Sequence, residues 1–307
     1  MSFVFKAKDD SGDVSQPPLT PEEKEVVQII NNAASDLSDA SVGSAVQAAI
    51  STGNLEQVVD TFPWEATAFT LSQTVNAFKR AVKGGIGKGF PKTGFVGRFD
   101  FTDPRSTEYA LQQSAKLVTN MTTQMKDQVR LVVGRAFTEG IPVYDTAREL
   151  RSVINLTKRQ EVTLSKFTDL NRARLMEEGL TGRKLEQRLN EVVERQYKKM
   201  ISQRSKVIAR NEILQAENAG RMLGFEQSVE QGWASPLSVK RWSTSTDERT
   251  CSICGPMNGM SVQWNQYFPN GIYDPSDAHI MCRCSVSLLE PDSPLAQNRM
   301  PTGVLQP

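Results

Sequence analysis

The chain has 307 residues, 36 Lys and Arg against 35 Asp and Glu, a net charge of +1, and a single histidine. This near-neutral balance argues against a globally basic nucleic-acid binder, and a mean hydropathy of −0.40 without a long apolar run argues against a membrane protein. The first residues become charged before a signal-peptide core can form, so we expect synthesis in a cytoplasm. With one histidine, His279, any histidine-dependent catalysis must use that residue.

The chain begins with a polar stretch, residues 1–19, which we interpret as a tail or docking arm. Thr20 then has the character of an N-cap, with Pro21 in the first turn and Glu23 at the position that completes a capping box. The pattern predicts that the first helix starts here. Residues 36–61 are rich in Ser, Ala and Asp, and we expect short helices there.

A basic, glycine-rich segment covers residues 79–98, with six basic residues, six glycines and no acid. Its spacing does not match a phosphate-binding P-loop. We interpret it as a flexible basic loop, and contact with DNA phosphates is the alternative. The candidate contact residues are Lys79, Arg80, Lys83, Lys88 and Lys92.

The strongest predicted helix begins at Asp103 and Pro104 and ends at Gly140. Apolar residues repeat every three or four positions and predict one continuous buried stripe. The stripe consists of Leu111, Ala115, Val118, Met121, Met125, Val129, Val132 and Ala136. A shorter helix and further helical segments follow, the last running from Gly182 to about Gly232.

Residues 183–210 hold nine basic and three acidic side chains, a net charge of +6. A solvated helix face is the plain interpretation, and a surface for DNA or for an acidic protein ring is the alternative. The residues considered for such a contact are Lys198, Lys199, Arg204, Lys206 and Arg210.

After Gly232 the sequence predicts short strands at 238–244, 261–264 and 285–289. The predicted fold class is therefore α+β and mainly α, with a small β-containing module after a long helical region. Four parts are predicted: an N-terminal region 1–98, a helical region 99–232, a module 233–290, and an extended proline-containing tail 291–307.

All the cysteines and the histidine fall within a 34-residue window of this module. They are Cys251, Cys254, His279, Cys282 and Cys284. Thiolates two residues apart can bind one ion, and tetrahedral zinc takes four ligands, so we predict a structural zinc (Zn) site that staples the module. Disulfides, plain reduced cysteines, and a catalytic role for His279 remain alternatives, and the sequence does not decide which of the five ligands is left out.

An ordered series of motifs resembles the phage Mu F-like minor head proteins, also called phage head morphogenesis proteins. The matching residues are Ala209-Arg210-Asn211-Glu212, Asn218-Ala219-Gly220, Lys240-Arg241-Trp242, Asp247, Arg249, Cys251, Cys254, Asn258-Gly259, Phe268, His279, Cys282, Arg283 and Cys284. The resemblance covers residues 99–289 and leaves 1–98 outside it. Asn211 replaces the usual Thr, and Ile280 and Met281 stand where a Pro and a polar residue are typical.

The resemblance implies a virion component present in few copies, in the head interior near the portal vertex, acting in head morphogenesis, DNA packaging or DNA delivery. The partners it implies are the portal protein, the major capsid or scaffolding protein, and viral DNA, with no membrane and no enzymatic activity. Two other hypotheses are a zinc-dependent nuclease or hydrolase using His279, and a plain DNA-binding module. An appended toxin domain is not expected, because the sequence runs only about twenty residues beyond Cys284.

Overall fold

The computed structural model describes residues 18–90, 98–245 and 250–297, and this part of the chain contains nine α-helices followed by three short strands. The helices are α1 (Pro21–Ser41), α2 (Ser44–Ser51), α3 (Leu55–Thr61), α4 (Trp64–Ser72), α5 (Thr74–Gly85), α6 (Pro104–Glu139), α7 (Val143–Val153), α8 (Lys158–Glu177) and α9 (Gly182–Glu230). The strands are β1 (Val239–Ser243), β2 (Ser261–Gln263) and β3 (Ser285–Leu289). The predicted class, α+β and mainly α, is confirmed.

Some predicted features lie outside the described residues: most of the tails at 1–19 and 291–307, Lys92, and the motif residues Asp247 and Arg249. The described start of the second tail differs from the prediction. Pro294–Gln297 forms a 3-10 helix, and Ala296 packs against Val239 and Leu289 because the sheet leaves an apolar edge there. The chain therefore stays on the module beyond residue 290.

Helices α1 and α6 begin at the N-cap residues that the sequence predicts. The Thr20 hydroxyl accepts from the backbone N–H of Glu23, and the Glu23 carboxylate accepts from the backbone N–H of Thr20, which completes the predicted capping box of α1. Asp103 caps α6, and Gly140 ends it in a left-handed conformation with φ 68°. None of the helices in the described ranges has the length and apolarity that a membrane span requires.

The predicted buried stripe of α6 is correct from Met121 to Ala136 and wrong at its first two residues, Leu111 and Ala115. Met121, Met125, Val129, Val132 and Ala136 are buried, whereas Leu111 is 53% exposed and Ala115 is also exposed. The inward face of the first turns is taken by Gln113 and Ser114 instead. Their side chains hydrogen-bond across the core, to Glu212 and Gln215 and to Thr74, so polar pairing decides the helix rotation there.

The predicted flexible loop at 79–98 is wrong for its first part, because Lys79, Arg80 and Lys83 lie on α5. The helix forms because Ala77, Phe78, Ala81 and Val82 recur at helical spacing and pack into the main core. After α5, the chain docks on the edge of the sheet, where the backbone N–H of Leu288 donates to the Gly89 carbonyl O at 2.9 Å.

Helices α5 and α9 cross closely at glycines. A Cβ atom on Gly220 would lie 1.9 Å from the Val82 carbonyl O, and one on Gly85 would lie 1.9 Å from the Glu217 carbonyl O. Side chains longer than hydrogen therefore cannot be accommodated at this crossing without moving a backbone. Through this crossing the N-terminal helices share one core with α6, α7 and α9.

Helix α9 has 49 residues, so it is about 74 Å long. Its first part pairs with α8 to form a helical hairpin, which we call the arm and define as Lys158–Glu177 together with residues 182–200. Leu175, Leu185 and Leu189 make a small core of their own in the arm. The last turns of α9 reach the module, where Phe225 joins a core with Trp242, Cys254, Cys282 and Cys284.

The three strands form an antiparallel sheet in the order β2-β1-β3. In its register Lys240 of the central strand faces Val262 on one side and Leu288 on the other. The strands lie close to the predicted positions. The sheet supports two loops, one between β1 and β2 and one between β2 and β3, that carry the cysteines and the histidine.

Candidate metal centre

The first half of the centre is a tight knuckle at Cys251 and Cys254. The backbone N–H of Cys254 donates to Cys251 Sγ at 3.3 Å, and the N–H of Gly255 donates to the Cys251 carbonyl O at 2.9 Å. The knuckle is followed by Asn258 and Gly259, which fold back onto β1. The Gly259 N–H donates to the Trp242 carbonyl O at 2.8 Å, and its φ of 81° requires glycine.

The second half follows the 3-10 helix Pro275–Asp277. His279 is the first candidate ligand here, and the backbone N–H of Cys282 donates to the His279 carbonyl O at 3.2 Å. Met281 between them has a φ of 63°, an uncommon conformation for a residue with a side chain. This turn brings His279 and Cys282 to the same side, and Cys284 then leads into β3.

The two halves meet with distances that suit a tetrahedral ion. Cys254 Sγ lies 3.5 Å from His279 Nε2 and 3.7 Å from Cys282 Sγ, and Cys251 Sγ lies 3.1 Å from His279 Nε2. A tetrahedral zinc with bonds of about 2.3 Å to sulfur and 2.0 Å to nitrogen separates its ligand atoms by about 3.5–3.8 Å. Two of the three distances match this spacing, and the third is shorter.

The five predicted ligands form two overlapping groups that share Cys254. Cys251, Cys254 and His279 make one group, and Cys254, Cys282 and Cys284 make the other, with all ligand atoms in each group within 4.8 Å of one another. None of the four cysteines is in a disulfide. The structure therefore brings together every residue that the sequence pattern predicted, and these residues could hold a metal ion.

The tautomer of His279 is decided by its neighbour. Nδ1 lies 2.9 Å from the Ile280 carbonyl O, and a carbonyl oxygen can only accept, so Nδ1 carries the proton of the neutral ring. The lone pair is then on Nε2, the atom that faces Cys251 and Cys254. This arrangement is the one that metal-binding histidines use.

Burial makes the free thiolates costly. It raises the pKa of Cys282 to about 12 and raises the pKa of Cys254 further, and at Cys254 the neighbouring cysteines add to the shift. Thiolate ligands in such a place need a cation to offset their charge. The surroundings are apolar: Trp242 is fully buried and meets Phe268 edge-on at 5.0 Å between ring centroids.

Five of the nine predicted contact cations within the described ranges are already engaged by the chain. Arg80 pairs with Glu22 and Glu25, Lys88 with Glu217 at 2.8 Å, Lys198 with Glu194 at 2.9 Å, and Arg210 lies 3.9 Å from Glu23. Arg204 is half-buried and donates to Gln124 at 2.7 Å, and burial lowers its pKa. Lys79, Lys83, Lys199 and Lys206 form no ion pair within the described ranges.

Sequence reasoning missed the burial and the contacts of two residues in the motifs, Glu212 and Lys240. Glu212 accepts a hydrogen bond from Gln113 of α6, and burial raises the pKa of the Glu212 carboxyl. Lys240 is fully buried in the module. The motif strings that contain Glu212 and Lys240 signalled importance, but their partners are far away in the sequence and gave no signal.

The fold and the centre together define a class: a mainly helical protein whose longest helix leads into a small Cys/His module with the donor set of a structural metal site. Residues 168–287 match the family model described as Phage Mu protein F like protein, so this part of the chain is similar to that family. The match begins within the arm and ends in β3, so it contains α9 and the whole centre. No curated protein and no solved structure matches the chain.

Proposed function

We propose that this protein is a minor component of the phage head, placed in the head interior near the portal vertex. The observation that carries the proposal is the family match over 168–287, which covers part of the arm, all of α9 and the Cys/His centre. A long helix with a rigid module at one end suits docking onto a ring such as the portal protein. The major capsid or scaffolding protein is the second proposed partner.

Counting the protein in gradient-purified particles tests this placement. Quantitative mass spectrometry against the portal protein should find a few to tens of copies per particle, and cross-links should join it to the portal protein. Absence from particles, with abundant protein in infected cells, would overturn the proposal and favour a transient assembly factor or an enzyme.

We further propose that the centre holds one zinc ion with a structural role. The ligands would be Cys251, Cys254, His279 and Cys282, since these four are joined by the short sulfur and nitrogen distances, and Cys284 would pack beside them. Zinc suits this donor set because soft thiolates and imidazole prefer it, and four protein ligands leave no position for a reacting water. When bound, the ion supplies a cross-link between the two loops of the module.

This closed ligand set favours a non-enzymatic role over the nuclease or hydrolase hypothesis. His279 donates through Nδ1 to the Ile280 carbonyl O and directs Nε2 at the thiols, so neither ring nitrogen is left to act as a general base. Incubation of the purified protein with DNA and RNA in zinc or magnesium should give no cleavage. Cleavage that disappears in His279→Ala would contradict this part of the proposal.

Contact with viral DNA is a second candidate function, favoured by one face of α9. Arg188, Arg195, Lys199 and Lys206 follow one another at intervals of seven, four and seven residues, so they lie on one face over about 27 Å. All four are exposed, and Lys199 and Lys206 have no ion-pair partner in the described part of the chain.

Salt-dependent binding to duplex DNA tests this second function. The double variant Lys199→Ala/Lys206→Ala should bind DNA more weakly. The slope of the logarithm of affinity against the logarithm of salt concentration should fall by about one for each phosphate that the variant no longer neutralises. The matched control is Lys88→Ala with Lys198→Ala, which removes two lysines that already pair with Glu217 and Glu194. Equal effects of the two double variants would argue against a specific basic face.

A further inference from the structure

Lys240 is placed where lysines are rarely found. It lies on the central strand β1 between β2 and β3, and its side chain is fully buried. Lysine is almost never fully buried unless it is paired, because the ammonium group loses its hydration. Within the described residues Lys240 forms no ion pair, so its burial has to be explained by its other contacts.

Those contacts all lie on the loop that leads to His279. Lys240 Nζ donates to the Tyr273 carbonyl O at 2.8 Å and lies 3.3 Å from the centroid of the Tyr273 ring. Its distance to the Phe268 ring centroid is 5.5 Å. A cation over an aromatic face, with a carbonyl acceptor beside it, is held by both interactions. Lys240 therefore fixes the backbone and the ring of Tyr273 against the sheet.

Hydrogen bonds within residues 274–278 connect Tyr273 to His279. Asp274 is buried, and its Oδ1 accepts from the backbone N–H of Ser276 at 2.8 Å and from the Ser276 hydroxyl at 2.6 Å. This cap starts the 3-10 helix Pro275–Asp277, and the backbone N–H of Ala278 donates to the Pro275 carbonyl O at 3.1 Å. His279 is the next residue, so its position depends on this turn.

Charge supports the same arrangement. Asp274 Oδ2 is buried without a hydrogen-bond partner among the described residues, so the carboxylate needs a cation nearby. Burial lowers the pKa of Lys240 to about 7, and the charges of Asp274 and Asp277 oppose this shift. Arg221 of α9 is a further cation near Asp274, whose charge raises the pKa of Arg221 against the effect of burial.

We propose that Lys240 is a positioning residue of the metal centre: it anchors the Tyr273–Asp274 turn to the sheet and thereby holds His279 Nε2 at the distance that a nitrogen ligand requires. Lys240 does not contact the ion in this arrangement. The inference rests on the proposed metal site, because it concerns the delivery of one of the four ligands.

Cobalt(II) binding to the full chain separates this role from a general contribution to folding. The visible spectrum of tetrahedral cobalt(II) reports how many sulfur and nitrogen atoms bind it, and His279→Ala provides the reference for a site without the histidine. Lys240→Met, which keeps the length and apolar packing of the side chain, should shift the spectrum toward that of His279→Ala. It should also weaken cobalt(II) affinity about 10- to 100-fold, the usual cost of losing a residue that orients a ligand.

The matched control is Lys166→Met, which removes a half-buried lysine of the arm and should leave spectrum and affinity unchanged. If Lys240→Met folds and binds cobalt(II) with the spectrum and affinity of the unsubstituted chain, the proposal is overturned. Should Lys240→Met fail to fold, Asp274→Ala releases the same turn from its cap without altering the sheet, and an unchanged spectrum there overturns the proposal equally.

Failure of the metal proposal itself has a different signature. In that case the unsubstituted chain gives no tetrahedral cobalt(II) spectrum at all, whereas failure of the positioning role leaves that spectrum intact in every Lys240 variant.

Discussion

At the scale of single residues, the crossing of α5 and α9 depends on Gly220. We expect Gly220→Ala to lower the free energy of unfolding by about 3 kcal/mol, because the added methyl would meet the Val82 carbonyl O at 1.9 Å. Gly134→Ala in α6 is the matched control, since its Cβ has nothing within 4 Å. That control should gain about 1 kcal/mol from helix propensity. Urea denaturation of both variants measures the difference, and a Gly220→Ala variant as stable as the control would contradict the close crossing.

A second residue, Asp103, should give the protein an acid-dependent stability. Side-chain hydrogen bonds from Arg105 hold the pKa of the Asp103 carboxyl at about 2, against an ordinary value of 3.8, although burial opposes the shift. A lowered pKa in the folded state stabilises the fold above the ordinary pKa, and this stability is lost as pH falls from about 4 toward 2.

Asp103→Asn tests that acid dependence, since asparagine keeps the cap oxygen but removes the charge. The unsubstituted chain should be more stable than the variant by about 2 kcal/mol at pH 6, and the difference should shrink as pH falls below 4. Denaturant unfolding at a series of pH values measures it. A difference that stays constant from pH 6 to pH 3 would refute the ion-pair explanation.

At the scale of elements, the arm has its own small core and should unfold separately from the main core. Leu189 is fully buried with Leu175 and Leu185, so Leu189→Ala should cost about 2–4 kcal/mol of local stability. Amide hydrogen exchange should then become faster in Lys158–Glu177 and in residues 182–200, while the sheet keeps its protection. Arg188→Ala on the exposed face should change neither, and faster exchange throughout the chain would mean that the arm is not independent.

The elements also show how far the sequence could predict this fold. The capping box at Thr20, the stop at Gly140 and the three strands depend on local chemistry, and local chemistry is visible in one sequence. The outward rotation of Leu111 was not predictable, because it depends on Gln113 pairing with Glu212 ninety-nine residues later. Helix α5 was missed in the glycine-rich basic segment for a similar reason, since its apolar face packs against α1, α6 and α9 rather than against its neighbours in the sequence.

The candidate metal centre was predictable as a set of residues, because the chain has no cysteine or histidine outside it. The burial of the charged residues that support the loops of the centre was not predictable. Lys240 and Asp274 are charged residues in a stretch of loops and short strands, and a pattern of that kind predicts solvent exposure. Only the folded arrangement, with Tyr273 over the Lys240 ammonium, gives a reason to bury them.

At the scale of the whole molecule, the helices and the module have different sources of stability. The helices pack around the main apolar core, whereas the module is small and depends on the second core and on the proposed ion. Removal of metal by a strong chelator should therefore change the fluorescence of buried Trp242 and open residues 233–290 to proteases. The far-UV circular dichroism, which is dominated by the helices, should change little, and a full loss of helix would show that the two parts unfold together.

The most direct test of the central claim is the zinc content of the purified chain, prepared without chelators and reconstituted under reducing conditions. We expect one zinc per chain by elemental analysis, and none in a folded Cys254→Ser variant, because Cys254 belongs to both groups of candidate ligands. A folded chain that binds no zinc, or Cys254→Ser protein that keeps a full equivalent, would contradict the account.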